Sequence, residues 1–266
     1  MSGNESTTPL SVGITGGNGR MGSTVRSVAD ERGFEIAFAV DRAAESKQGD
    51  VLPADRYATL LEETEPDVIV DFTGPESTVE YVAEAAQAGV PFVTGTTGFD
   101  ADQQENLEAA GEDIPVIRGA NFARGVQALL DAVAAAVESV PGYDVELTET
   151  HHNGKRDAPS GTAGVILDEI DAVRGDDGER VHGRVGEAKR EPGEIGVHAR
   201  RAGDVTGEHE VLLAGNREVL SLTHRAGSRS VFAEGALDAA AWLVDQPAGF
   251  YQFANIAAEL SEVPDQ

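Results

Sequence analysis

A chain of 266 residues, 40% of them hydrophobic, is long enough for two modest domains and apolar enough for a core in each, which excludes general disorder. Its formal net charge of −27, from 47 acidic against 20 basic residues, excludes nucleic acid and anionic membranes as partners, because such a surface repels both. Cysteine is absent, which removes disulfides, thiolate metal sites and a cysteine nucleophile.

From the start of the chain, the polar segment 1–9 lacks the basic-then-apolar layout of a signal peptide. No apolar run approaches the roughly 20 residues of a membrane span, so the protein is expected to be cytoplasmic. A strand expected at 10–15 runs into Gly16-Gly17-Asn18-Gly19-Arg20-Met21-Gly22, which opens a helical segment. Glycines in that context let the backbone turn tightly and approach a pyrophosphate, whose charge meets the positive helix N-terminus. A second strand at 34–40 ends on Asp41, 19 residues beyond Gly22. That is close to the spacing of about 20 for an acid that accepts from the adenosine ribose. Arg42 beside it suits a 2′-phosphate instead, so NADH and NADPH both stay open. Glycines alone would mark an ordinary turn; strand, glycines, helix and strand-end acid together mark a dinucleotide site.

Further strands are expected at 67–72, 90–94 and 115–118. A helix is expected at 76–88, where Val79, Val82, Ala83 and Ala86 recur at helical spacing before Gly89 closes the last turn. This alternation describes a Rossmann-like, doubly wound parallel sheet of the α/β class. Ligands bind beyond the carboxyl ends of such strands, which places Gly95-Thr96-Thr97-Gly98 and Ala120-Asn121-Phe122 beside the nicotinamide half of a cofactor. Taken alone, the first is a Gly/Thr turn and the second a helix entry. A long Ala/Val helix at 126–140 leads to Pro141-Gly142, where the pattern changes; the domain junction is placed near Phe122 or Ala123.

The next strand, at 144–150, carries Val145 and Leu147 on the face that His151 continues, leaving His152 on the other. Adjacent histidines that diverge make a poor metal pair, and no metal site is expected. The segment His151-His152-Asn153-Gly154-Lys155-Arg156-Asp157-Ala158-Pro159-Ser160-Gly161-Thr162-Ala163 contains one of only three lysines, the others being Lys47 and Lys189. Ser160 is a good N-cap for a helix marked by Ala163, Ile166, Leu167 and Ile170. The amides of Gly161 and Thr162 would then face outward as an anion site. Imidazoles, an ammonium and this Ser160–Thr162 helix start suit a carboxylated substrate that needs protonation. A loop whose histidines merely cap and pack is the plainer alternative, and the retained lysine counts against it. Beyond it, 174–180 is rich in Gly and Asp and is expected to be a mobile loop. Strands at 195–201, 209–213 and 219–224 suit a mixed or antiparallel sheet. Residues 231–244 return to a helix with Ala236, Ala240 and Leu243 on one stripe, and 262–266 form a frayed tail.

These motifs together resemble the 4-hydroxy-tetrahydrodipicolinate reductase (dihydrodipicolinate reductase) family over nearly the whole chain. The 151–163 segment is similar to that family's substrate signature, and GGNGRMG, DFTGPES, GTTGF, GANF and AGDVTGEHEV stand in the family's order. The resemblance implies a Rossmann domain at 1–122 completed by 232–266, and an α+β sheet domain at 123–231 that binds substrate and builds a homotetramer. It implies reduction, with NADH or NADPH, of the cyclic imine dicarboxylate derived from 4-hydroxy-tetrahydrodipicolinate, in diaminopimelate and lysine biosynthesis. It makes His151 a proton donor or acceptor and Lys155 a proton donor, and it assigns substrate carboxylate to His152, Gly161 and Thr162. It assigns the cofactor to Gly16, Gly17, Asn18, Gly19, Arg20, Met21, Asp41, Arg42, Gly95, Thr96, Thr97, Ala120, Asn121, Phe122 and Ala123. Two positions depart from the family's pattern. Ala123 stands where serine is usual, which removes a hydroxyl near the cofactor, and 249–255 diverges from the usual ending. The acidic, lysine-poor surface also resembles proteins of salt-loving organisms, where the Debye length is about 3 Å at 1 M salt. Two other readings stay in view. One is another two-domain Rossmann oxidoreductase, whose phosphorylating semialdehyde type needs the cysteine this chain lacks. The other is a non-catalytic nucleotide sensor, which would need neither Lys155 nor His151.

Overall fold

The computed structural model describes residues 9–45, 50–175 and 178–262. The polar start 1–8 and Lys47 lie outside them, as do 176–177 of the loop expected to be mobile and 263–266 of the expected tail. The chain divides into two compact units, one from Met1–Phe122 with Arg229–Gln266 and one from Ala123–Ser228.

In the first unit, short apolar runs form strands and the amphipathic segments between them form helices. In chain order these are β1 (Ser11–Thr15), α1 (Arg20–Glu31), β2 (Glu35–Asp41), β3 (Leu52–Pro53), α2 (Tyr57–Thr64), β4 (Val68–Asp71), α3 (Pro75–Ala88), β5 (Phe92–Thr94), α4 (Ala101–Ala110) and β6 (Pro115–Arg118). The second unit follows with α5 (Arg124–Ser139), β7 (Asp144–His151), α6 (Gly161–Arg174), β8 (Arg180–His182), β9 (Ile195–Arg201), β10 (Gly207–Gly215) and β11 (Glu218–Ala226). The chain then returns to the first unit with α7 (Ser230–Leu243), β12 (Gly249–Gln252) and α8 (Phe253–Ile256).

The first sheet has the order β12-β6-β5-β4-β1-β2-β3, with every pair parallel. Its central strands are buried on both faces, as a sheet covered by crossover helices must be. Val12, Val68, Val70 and Ile117 pack with α1 and α7 on one face. Phe38, Ile69, Phe92 and Val116 pack with α2, α3 and α4 on the other. Gly89, at φ 73°, ends α3 in the left-handed conformation that its sequence position implies.

Two edge strands escape the sequence pattern. Two-residue β3 and partly exposed β12 lack a run of alternating apolar residues, and they form because β2 and β6 offer a free edge.

The second sheet is mixed, in the order β11-β10-β7-β9-β8; β10 runs antiparallel to both neighbours and the other pairs are parallel. Burial alternates along β10. Val145, Leu147, Ile195, Val197, Val211 and Leu213 pack against Val133 of α5 and Ile166 and Leu167 of α6. Asn216 and Arg217, both at positive φ, make the two-residue turn from β10 to β11. On β11, Val219 and Leu220 remain 63% and 40% exposed.

Candidate functional site

In the first unit the glycine segment forms a tight turn between β1 and α1. Gly16 has φ +76°, and a Cβ there would stand 2.7 Å from Phe72 O. A Cβ on Gly22 would stand 2.1 Å from Gly16 O, so α1 can begin against the turn only with glycine there. The N-cap Gly19 has no side chain to cap the first amides, which leaves this helix start, with Arg20 and Met21 in its first turn, suited to an anion.

Asp41 closes the opposite side. It accepts from Asn18 N at 3.0 Å and from Ala43 N at 2.8 Å, tying the end of β2 to the glycine turn. Gly16, Gly19, Asp41, Arg42, Phe72, Thr73 and Tyr81 line a cavity of ≈ 240 Å³. A glycine cradle that any Cβ would fill, with an uncapped helix start and a strand-end acid, fits the diphosphate and ribose of a dinucleotide. No group of His, Asp and Glu among the described residues could hold a metal ion.

Gly95, Thr96 and Thr97 follow β5, and Ala120, Asn121 and Phe122 follow the adjacent β6. Thr97 and Ala120 are exposed, whereas Phe122 and Ala123 are buried. The Phe122 ring packs against Phe72 and Phe253 at centroid distances of 6.1 and 4.7 Å. Its side chain therefore belongs to the core, and only its backbone can serve a ligand.

Beneath these loops lies a group that the sequence did not single out. Asp71, at the end of β4 and fully buried, accepts from five hydroxyls. Thr15 and Thr73 donate to Oδ1 at 2.6 and 2.7 Å. Thr78, Thr94 and Thr96 donate to Oδ2 at 2.8, 2.8 and 2.9 Å. One carboxylate thus ties together the ends of β1, β4 and β5 and the start of α3, with hydroxyl dipoles satisfying its oxygens.

In the second unit the pleat of β7 places Val145, Leu147, Glu149 and His151 on one face, all buried. His151 Nδ1 lies 2.6 Å from Glu149 Oε2. Arg201, the last residue of β9, meets the same carboxylate with both terminal nitrogens at 2.7 Å. Burial pushes the Glu149 carboxyl up, but the hydrogen bonds from Arg201 and His151 outweigh it and hold the group below its ordinary range. Burial also pushes the His151 imidazole down; Glu149 opposes that shift while Lys155 and Arg201 add to it.

The turn after β7 carries Lys155, whose Nζ lies 2.9 Å from Asp157 Oδ1. Ser160 is the N-cap of α6, its hydroxyl accepting from Ala163 N at 3.2 Å and meeting His209 Nε2 at 3.0 Å. The side chain expected to touch substrate is therefore 2% exposed and engaged within the protein. Gly161 is exposed and Thr162 and His152 half-buried. His209 packs edge-on against His151 with ring centroids 5.2 Å apart. Its Nδ1 has no hydrogen-bond partner among the described residues. His151, Lys155 and the start of α6 are thus joined through Glu149 and Arg201. Such a cluster can receive a carboxylate at the helix start and move a proton beside it.

Comparison with known proteins gives a consistent result. Family models described as dihydrodipicolinate reductase, N-terminus, and dihydrodipicolinate reductase, C-terminus, match residues 10–122 and 125–256. The 4-hydroxy-tetrahydrodipicolinate reductase of Natronomonas pharaonis is 55% identical over 246 residues, 92% of this chain and 98% of that protein. The enzyme of that name from Haloarcula marismortui is 49% identical over 245 residues, with the same coverage of 92% and 98%. Among solved structures, dipicolinate-bound dihydrodipicolinate reductase from Paenisporosarcina sp. TG-14 superposes with a TM-score of 0.74 at 23% identity. It covers 94% of this chain and all of that one, a likeness of fold.

Proposed function

Because this chain belongs to the dihydrodipicolinate reductase family, we propose that its 151–162 turn holds and protonates a cyclic imine dicarboxylate while the glycine cradle holds a reduced dinucleotide. The chain is a nicotinamide-dependent 4-hydroxy-tetrahydrodipicolinate reductase of diaminopimelate and lysine biosynthesis. A reduced nicotinamide dinucleotide held by the glycine turn and Asp41 would supply the hydride for C4 of the conjugated imine left when the hydroxyl departs as water.

The remaining work falls to side chains of this protein. The first turn of α6 at Gly161 and Thr162, with His152, receives a substrate carboxylate. The Lys155 ammonium, steadied by Asp157, supplies the proton that completes tetrahydrodipicolinate, and His151 assists. Ser160 caps the helix start beside them. The observation that carries this reading is the cluster joining His151, Lys155 and the start of α6 through one buried carboxylate.

Lys155→Ala removes both a cation and a proton source. It is expected to lower kcat by a factor on the order of 10² or more, with dinucleotide affinity retained. An unchanged kcat would overturn the assignment.

For the cofactor we propose dual use of NADH and NADPH. Asp41 retains acceptor capacity for a ribose hydroxyl, and exposed Arg42 beside it can pair with a 2′-phosphate. For assembly we propose a homotetramer joined through residues 195–224. Edge strand β11, with its exposed Val219 and Leu220, favours that surface. Among the described residues no helix is long and apolar enough to cross a membrane, and we assign the protein to the cytoplasm.

A further inference from the structure

Resting on the reading of His151 as a proton carrier, we propose that Glu149 is the positioning residue of this site. It holds the His151 Nδ1 proton and, with Arg201, fastens the lysine turn and the start of α6, so that Nε2 alone is left to exchange a proton with substrate.

Glu149 has no exposed side-chain surface. Oε2 accepts from His151 Nδ1 at 2.6 Å and from Arg201 Nη1 at 2.7 Å. Oε1 accepts from Arg201 Nη2 at 2.7 Å and from Ser160 N at 3.2 Å. Arg201 Nη2 also donates to Asp157 O at 2.5 Å. Four bonds to one carboxylate leave it little freedom to turn, and the bidentate arginine supplies the charge that its burial requires.

An ionised carboxylate only accepts, so Nδ1 of the neutral ring must carry the hydrogen and Nε2 the lone pair. Space is kept at Nε2 as well: a Cβ at Gly207 would stand 3.2 Å from it, and glycine supplies none.

The charges around His151 come from every neighbouring element. Glu149 faces it from β7, Lys155 and Asp157 belong to the following turn, Arg201 ends β9, and His209 stacks from β10 with His224 paired opposite it on β11. Glu149 favours the protonated ring, whereas burial, Lys155 and Arg201 favour the neutral one.

Two substitutions therefore push the ring in opposite directions. Glu149→Gln removes the attraction, so His151 should titrate at lower pH than in the parent. Arg201→Gln removes a repulsion and leaves Glu149 without its competing partner, so His151 should titrate at higher pH. Loss of packing alone has no reason to act with opposite signs.

The experiment follows the His151 ring protons by NMR in the full-length protein in high salt, without substrate, with the signals assigned by His151→Ala. Opposite displacements are expected, together with a fall in kcat for Glu149→Gln on the order of 10- to 100-fold that exceeds any change in KM. Should Glu149→Gln not fold, Glu149→Asp withdraws the charge by one methylene and takes its place with the same expected direction. A His151 titration unmoved in both variants, or moved the same way in both, overturns the proposal. Wild-type kcat in His151→Ala overturns instead the reading of His151 as proton carrier. The titrations require no turnover, so the two failures are distinguishable.

Discussion

His209 illustrates how a single buried side chain ties stability to pH. Burial, with repulsion from His151 added, pushes its imidazole down to about 4 from 6.5. Between those values the unfolded chain takes up a proton that the folded protein refuses, so stability is lost as pH falls from about 6.5 to about 4. This one group accounts for up to roughly 3 kcal/mol. His209→Gln keeps a partner for the Ser160 hydroxyl and removes the titration. Denaturant unfolding at pH 7 and pH 4.5 should show the parent losing about 2 kcal/mol more than the variant; equal losses would refute it. Arg42 makes a second case at this scale. Arg42→Ala should weaken NADPH binding and spare NADH, and equal weakening of both, by fluorescence titration, would remove it as the phosphate ligand. His151 and Lys155 were legible because uncommon residues stand together in one turn. Glu149, Arg201, His209 and Asp71 were not, because a single ionisable residue on a strand carries no local mark. Their roles arise from pairs such as Glu149 with Arg201, Ser160 with His209 and Thr15 with Asp71, which are 52, 49 and 56 positions apart.

Among the elements, the passage from β1 into α1 tolerates least change. A methyl group on Gly22 meets backbone, Gly16 O at 2.1 Å, which cannot rotate away as a side-chain tip could. Gly22→Ala should therefore displace the start of α1. We expect about 1–3 kcal/mol of destabilisation and at least a roughly 10-fold loss of dinucleotide affinity, since the helix start and the glycine turn bind together. Thermal unfolding and cofactor titration check this; unaltered affinity would show that the cradle is not the dinucleotide site. Periodicity carried most elements. It marked α3 and α7, the central strands, and β9 to its limits at 195–201, because burial on a known face constrains composition. α4 was missed although Asp100 and Gln103 form a capping box, since few of its residues are buried. β3 and β12 were missed because pairing with a neighbour, a property of the assembled sheet, defines them.

For the molecule as a whole, charge is the dominant constraint. Four chains at −27 each would give one tetramer a formal net charge of −108, and only screening or bound cations make that tolerable. Light scattering across a salt series should show assembly strengthening as salt rises. A monomer at every concentration would refute the tetramer, and a tetramer indifferent to desalting would refute the role of charge. The two-domain plan could be read from the change of pattern near residue 141. The open face of the second sheet could not, since half-exposed strands resemble those that pack on a partner.

The return of the chain to its first unit also fixes an order of events during synthesis. Val70, Val93 and Ile117 share a core with Ala236, Ala240 and Leu243 of α7, and β6 gains its outer neighbour only from β12. A ribosome that has made the first 228 residues has therefore released a Rossmann sheet with one face covered by α1 alone and one edge open. The 123–228 unit, contiguous in sequence and with its own core, already has all it needs to fold. The segment translated first is thus among the last to be completed. For that interval its half-covered sheet is the part of the nascent chain most exposed to aggregation, and to capture by chaperones.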